Sequence, residues 1–535
     1  MRGIVVCPQP RAADVGADVL GRGGTAFDAA VATAFAQMVV DPFMCGIGGM
    51  GTLLWHDGAG GTQGMVDFHT RAGARVTPDM WAGAAAGRAE ISGYSLFDDF
   101  RSELGYTAIM TPGTVAGLHA FHGQKGKMDW ADLLAPAARM AREGWTLTGY
   151  VRNFWAMTPV LGMPEGKRRL STTPACAAIY LQSDGSLPEV GTLIRNPDMA
   201  DTIEAIADGG AESFYRGPLA ARISADLAAN GAFVTAQDLT TYEARRPAPV
   251  RGCYRGYEVV SNPPPGSGCC LVQMLQALEH FDLGAMGPGS TDYLDTLARV
   301  MGHCHADRNR YLADPEFADV PVDRFLSLER AAEIAGRVRD REPPEASEPQ
   351  ADAGTTHLSV ADAAGNAVSL THTLGTGSGV VTPGLGFVYN NSMKLADTRP
   401  GRINSMAPGK ARTTGMVPTM LMRDGKPEVV VGAQGGSVII SAVLQSIVNM
   451  ADFAMSPAEA VAAPRIHCES GPIHAEARIE GAVVAGLEAL GHEVRWSALS
   501  YDPVMAKAHA VRIGQDDWQG GADPRHGGGV AFSRA

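Results

Sequence analysis

The chain has no apolar run that could cross a bilayer. Its longest, Ala26 to Val40, is interrupted by Asp28, Thr33 and Gln37, whereas a spanning helix needs about 20 predominantly apolar residues. Cysteine is scarce, 8 in 535 residues with Cys269 and Cys270 adjacent, which argues against a disulfide framework. Basic side chains are outnumbered, 44 against 57 acidic, for a formal charge of -13. A nucleic-acid binder needs a basic face, and that balance does not supply one. The opening Ile4-Val5-Val6-Cys7 before Pro8 is too short for the apolar core of a signal peptide. The expectation is a soluble cytoplasmic protein with neither nucleic-acid nor membrane partners. Apolar residues at 45% and charged residues at 19% allow a large buried core. Glycine is plentiful, 65 of 535, well above the usual ~7%, and marks tight loops and close packing.

Ala12 to Leu20 reads as an amphipathic helix stopped by Gly21, and Ala26 to Val40 as a buried one broken at Pro42. Further helices are expected at Ala131–Glu143, Leu219–Ala229 and Ser290–Tyr311. Gly46-Ile47-Gly48-Gly49-Met50-Gly51 fits G-x-G-x-x-G but follows a helix, which argues against dinucleotide binding. His303-Cys304-His305 lies in a helical run without a second ligand cluster, so no metal site is expected there. No G-x-S-x-G elbow is present. One composition break stands out: Arg341 to Gly354 is acidic, Pro-rich and without an apolar anchor, the pattern of a solvated linker.

Two alternating runs follow that linker, Thr355 to Asp362 and Ala367 to Leu374, around the turn cluster Ala363-Ala364-Gly365-Asn366. They predict a β-hairpin. Pairing Asp362 with Asn366 sets Val360 opposite Val368, Leu358 opposite Leu370, and Thr355 opposite Thr373. Period-two alternation puts those apolar residues on one buried face, and Thr355, His357, Ser359, Ser369, Thr371 and Thr373 on the other. A threonine hydroxyl is a poor nucleophile without a base beside it, and a freed α-amine can be that base. Such an amine titrates near 7.7–8.0, so cutting Gly354–Thr355 would create a usable threonine. Glycine before the bond tolerates a strained peptide.

At these residues the chain resembles the γ-glutamyltranspeptidases. Thr355-Thr356-His357-x-Ser359-Val360-x-Asp362-x-x-Gly365-Asn366-Ala367-Val368 is similar to the start of their small subunit. Further matching motifs run in order from Gly23-Gly24 and Gly46-Ile47-Gly48-Gly49 through Thr111 to Gly117 and Pro263-Pro264-Pro265. They continue with Asn390-Asn391-x-Met393, Gly435-Gly436-Ser437, Ala463-Pro464-Arg465 and Asp523-Pro524-Arg525. The resemblance implies an α/β fold, the four-layer αββα sandwich of N-terminal-nucleophile hydrolases. It implies cleavage between Gly354 and Thr355, giving a large subunit of residues 1–354 and a small one of 355–535 within one catalytic fold. Thr355 would be nucleophile and new N-terminus, Thr373 its hydroxyl partner, and the N–H groups of Gly435 and Gly436 the oxyanion hole. No cofactor is implied, and assembly of processed heterodimers into a homo-oligomer is left open.

The pocket motifs depart from the family. The Asp-Phe-Arg-Glu segment reads Asp67-Phe68-His69-Thr70-Arg71 here, so His69 takes the arginine position and Arg71 lies beyond it. The paired serines align with Thr414 and Gly415. The asparagine and the acid that hold the α-ammonium align with Gly375 and Leu395. An ammonium facing Leu395 would lose a charge partner, a loss of about 2–5 kcal/mol. The expected activity is therefore an autoprocessed threonine amidohydrolase acting on a small amide whose acyl part carries a carboxylate and no α-ammonium. His69 and Arg71 are the candidates for its anionic end, and oxamate amidohydrolases, a branch of this family, fit such a pocket. The alternatives are a γ-glutamyl hydrolase or transferase using Arg71 on glutathione-like donors, and an unprocessed binding protein.

Overall fold

In the computed structural model, which describes residues 2–89, 93–158, 163–348, 354–469, 471–515 and 517–533, the expected hairpin forms from strands Thr356–Asp362 and Ala367–Thr373. Val360 pairs with Val368, Leu358 with Leu370 and Thr356 with His372, the register that the sequence predicts. Asp362 fixes the turn. Its Oδ1 accepts the Ala364 and Asn366 N–H groups at 2.9 and 3.1 Å, and its Oδ2 accepts the Ala26 N–H at 2.7 Å. That last bond ties the turn to the first residue of the buried Ala26–Val40 helix, which Thr25 and Asp28 also close with a capping box.

The hairpin is the centre of a six-stranded antiparallel sheet. Its order is Gly529–Ser533, Gly3–Cys7, Thr356–Asp362, Ala367–Thr373, Met50–Asp57, Thr62–Phe68. A second sheet runs Trp518–Ala522, Lys507–Ile513, Lys426–Gln434, Thr419–Arg423, Tyr257–Ser261, Val250–Tyr254. Strands from before and after Gly354 interleave in the first sheet, and in the second four strands from after it adjoin two from before it. The sheets stack face to face around a thin apolar layer that includes Ile4, Val6, Leu54, Met420, Val430 and Val511. The Pro10–Gly21 and Ala26–Val40 helices cover the first sheet, and the Gly268–Leu278 and Val438–Ala451 helices the second. The result is the four-layer αββα sandwich.

Both faces of the hairpin are buried. Leu358, Val360, Val368 and Leu370 pack under the helices with Phe27 and Phe35. The polar face is sealed between the sheets: Ser359 donates to the His509 carbonyl at 3.2 Å and Ser369 to the Val431 carbonyl at 3.1 Å. Small hydroxyls suit that place because each finds a carbonyl across the interface, which removes the cost of burying it. Burial, with His509 and His372 nearby, holds the His357 imidazole well below its ordinary pKa and so neutral.

The expected helices form at Pro10–Gly21, Trp130–Glu143, Pro218–Ala229 and Thr291–Tyr311. Linker residues 341–348 are largely exposed, as expected, yet their acids are anchored: Glu342 on Arg337, Glu345 on Arg310, and Glu348 on Arg399 and Arg402. Residues 349–353 of the linker lie outside the described residues. No described helix is long and apolar enough to cross a membrane.

Candidate active site

Thr355 and Thr373 are buried together at the open end of the hairpin. The Gly354 carbonyl oxygen accepts the hydroxyls of both, and the Gly375 N–H donates to Thr373 Oγ1 at 2.7 Å. Gly354 has φ 41°, and a Cβ there would lie 1.6 Å from the Gly375 carbonyl oxygen. Only glycine fits before this bond. A carbonyl that receives a hydroxyl is polarised, and the second hydroxyl sits one residue from its carbon, an arrangement suited to acyl transfer from nitrogen to oxygen.

The strand positions of this pair are fixed from behind. Gln37, the polar residue that interrupts the apolar helix, donates to Thr356 Oγ1 at 3.1 Å and to Gln9 Oε1 at 2.6 Å. His372 and Gln37 Oε1 are 2.9 Å apart. Gln9 donates to Asp41 Oδ2 at 2.8 Å, and Asp41 lies 3.7 Å from His526, which bonds Gln434 at 2.6 Å. Burial pushes the Asp41 carboxyl up to about 7, against the opposing pull of Gln9 and Lys507. The network grips Thr356 and His372, the chain neighbours of Thr355 and Thr373, and it reaches Gln434 beside Gly435.

Gly435 and Gly436, with φ 134° and 73°, form the turn between the Lys426–Gln434 strand and the Val438–Ala451 helix. Across the sandwich, Val431 meets Ser369, and a Cβ on Gly432 would touch the His357 ring at 2.3 Å. Followed onward, the strand runs towards the Thr355 end of the hairpin. Among the described residues neither glycine N–H donates to a protein acceptor. Two such N–H groups at a strand-to-helix turn can serve as donors to an anion.

The specificity positions separate into two places. His69 follows the Thr62–Phe68 strand. Thr373 pairs with Met50, and Gly51 with Phe68, so His69 lies two strand spacings from Thr373, about 10 Å. Its Nδ1 pairs with Asp67, its carbonyl accepts the Tyr242 hydroxyl at 2.7 Å, and its buried Nε2 has no partner among the described residues. Burial raises the Asp67 carboxyl, but His69 and Arg245 outweigh it and hold the group below its usual range. Arg71 is occupied by Glu316 at 3.3 Å, while its backbone bridges Thr111 and Ala411. Thr414 is buried, with Oγ1 accepting the Met416 N–H at 3.2 Å.

Gly375 and Leu395 frame the second place. Gly375 has φ 76°, and a Cβ would meet Asn391 Oδ1 at 2.1 Å. Asn391 instead binds the Thr376 N–H at 3.0 Å. Leu395 ends the Ser392–Leu395 turn and packs with Ala89 and Tyr94. Lys394 is buried on Glu103 at 2.9 Å, and Arg169 joins the same carboxylate at 2.6 Å. Arg169 also donates to the Gly377 carbonyl, so the triad clamps the loop after Thr373. Leu395 opens onto a cavity of about 730 Å³ lined also by Tyr94, Thr413, Arg88, Arg399 and Arg402. Sequence reasoning missed Gln37, Glu103 and Asn391 as supports. Only Asn391 left a signal, in the Asn390-Asn391 motif.

Two stacked antiparallel sheets between helical layers, with a threonine strand after a glycine carbonyl held by two hydroxyls, are the architecture of an N-terminal-nucleophile hydrolase. The family described as Gamma-glutamyltranspeptidase matches residues 12–533, and the chain belongs to it. It is 37% identical to the Acylase ACY 1 proenzyme of Pseudomonas sp. (strain V22), over 92% of this chain and 87% of that one. It is 33% identical to the Glutathione hydrolase proenzyme of Escherichia coli (strain K12), over 98% and 90%. The crystal structure of cephalosporin acylase from Bacillus halodurans superposes with a TM-score of 0.88 at 27% identity, covering 100% of this chain and 96% of that one. The protein is an amide-hydrolysing enzyme of this group.

Proposed function

We propose that the chain cuts itself between Gly354 and Thr355 and then hydrolyses small amides whose acyl part carries a carboxylate. The observation that carries this reading is the Gly354 carbonyl held by the hydroxyls of Thr355 and Thr373. In the first step Thr355 Oγ1 attacks the Gly354 carbonyl carbon, the C–N bond breaks, and the hydroxyl proton passes to the released amine. Water hydrolyses the resulting ester and frees residues 355–535 with an α-amine at Thr355.

In turnover that amine accepts the Thr355 hydroxyl proton as Oγ1 attacks the substrate carbonyl. Gly435 and Gly436 N–H groups would hold the oxyanion, and the leaving amine takes the proton. Water then hydrolyses the acyl-threonine ester. Thr373, fixed by Gly375, orients Oγ1. Once Glu316 swings aside, Arg71 would serve the anionic end of a short acyl group, with His69 beside it; oxamate-like amides are the simplest such substrates.

The rival reading is a γ-glutamyl hydrolase or transferase on glutathione-like donors. Its α-ammonium would meet Leu395 packed with Ala89 and Tyr94, an apolar place in the position of the family's acid that offers it no charge partner. N-terminal sequencing of purified protein tests processing, with a Thr355 terminus expected; release of ammonia or amine from a panel of amides tests the substrate class. Active protein without that terminus would overturn the mechanism.

A further inference from the structure

The Lys426–Gln434 and Lys507–Ile513 strands pair as far as Gln434 opposite Lys507. One step further Gly435 faces Ala506, and both leave the sheet. Gly435 has φ 134°, and Ala506 has φ 58° with ψ 175°. Glycine adopts such angles freely, whereas in alanine the Cβ crowds the backbone and the conformation is strained. Alanine nonetheless stands there, fully buried. Its methyl group has a particular neighbour. A Cβ built on Gly435 would meet the Ala506 Cα at 2.7 Å and its Cβ at 2.8 Å. The Ala506 methyl is therefore a wall against the α-carbon of Gly435.

Two motifs without a role in the mechanism above, Ala463-Pro464-Arg465 and Asp523-Pro524-Arg525, hold this strained backbone from both sides. Arg465 donates to the Met505 carbonyl at 3.3 Å and to the Ala506 carbonyl at 3.2 Å. It pairs with Asp523 at 2.8 Å, and Asp523 accepts the Ala508 N–H at 2.9 Å. Arg525 bonds the other Asp523 oxygen at 3.0 Å and Glu476 at 2.6 Å. All four charged groups are buried, and two guanidiniums against two carboxylates leave none of them uncompensated. A strained residue persists only where its surroundings over-determine it, and such residues gather at working sites.

We propose that Ala506, locked by Arg465 and Asp523, is a positioning residue for the oxyanion donors: its methyl seats Gly435 so that the Gly435 and Gly436 N–H groups keep one direction, towards the carbonyl attacked by Thr355. Two adjacent glycines can otherwise turn their peptides over at little cost, and a donor off line loses most of its hydrogen bond. The proposal rests on the oxyanion role given to those glycines and deepens it.

Ala506→Gly tests it without disturbing the buried charges. Relief of strain offsets the lost methyl, so the melting temperature should stay within about 2 °C. Release of aniline from oxanilate, by protein carrying the Thr355 terminus, should fall roughly ten- to a hundredfold in kcat with KM kept within about twofold. Ala510→Gly, the same change at a buried position of regular strand, should do the reverse, lowering the melting temperature and sparing kcat. An unchanged kcat in Ala506→Gly, or a loss accompanied by a fall in melting temperature, would overturn the proposal. Phenylboronic acid adds a readout that needs no turnover. The Thr355 oxygen bonds to boron, the hydroxyl proton passes to the α-amine, and a boron-bound oxygen takes the place of the oxyanion. Ala506→Gly should weaken that adduct by the same factor as kcat; equal binding would overturn the proposal. If the wild type with a Thr355 terminus leaves oxanilate uncut yet binds the boronate, the substrate reading fails by itself, and the boronate comparison still decides Ala506. If it does neither, the nucleophile and oxyanion readings fail, and the proposal with them.

Discussion

Around Thr355 and Thr373 the working groups are hydroxyls and backbone amides held by strand register, whereas around Leu395 they are guanidiniums, carboxylates and an apolar wall carried on loops. The first region matches the family's motifs position by position. The second departs from them: Leu395 and Lys394 stand where an acid is expected nearby, and the arginines gather beyond. Acyl transfer needs a few donors at fixed geometry, and a sheet supplies them through its pairing. Recognition depends on which charges line a cavity, and loops change those without disturbing the sheets. The family's motifs are kept where the backbone would perform the chemistry, and they have changed where side chains line the cavity.

The largest effect should come from Thr355→Ala, which removes the oxygen proposed to attack. The protein should remain one chain on a denaturing gel and release no amine from any amide. Thr373→Val keeps the strand but deletes the hydroxyl between Gly354 and Gly375; it should slow both self-cleavage and turnover by roughly one to three orders of magnitude. An unchanged rate would mean that register alone positions Thr355. On the recognition side, glutathione or a γ-glutamyl anilide should be poorer than a carboxylate-bearing amide without an α-amine by about a hundredfold in kcat/KM. Efficient γ-glutamyl transfer would erase the contrast drawn above.

Between the two regions lies the Glu103 triad. Glu103→Ala would strand Lys394 and Arg169 as buried cations and should cost about 3–5 kcal/mol of stability, read by thermal denaturation. Behind the hairpin, burial raises Asp41 to about 7, whereas an unfolded aspartate titrates near 3.9. Between about pH 4 and pH 7 the native state therefore holds the extra proton, and stability falls as pH rises through that window. Asp41→Asn should flatten that slope in a series of melting temperatures. The smallest effect is expected from Leu395→Asp, a shift of only a few-fold towards γ-glutamyl donors. Gly375→Asn beside it should not complete the ammonium site, because its Cβ would strike Asn391.

The sequence by itself determined the hairpin and its register, which runs from Thr356 opposite His372, because period-two alternation around a turn cluster leaves one register that buries Leu358, Val360, Val368 and Leu370. It also determined the buried helix and, through ordered motifs, the sandwich. It could not show that the hydroxyl face is sealed between two sheets, since a strand does not state what lies above it. Only the tertiary structure decided what Gln37 and Glu103 do and why Gly375 excludes a side chain. It alone seated Glu348 among Arg88, Arg399 and Arg402. Those contacts join residues far apart in the chain, and charge complementarity at such distances has no period to read; it exists only once the loops are placed.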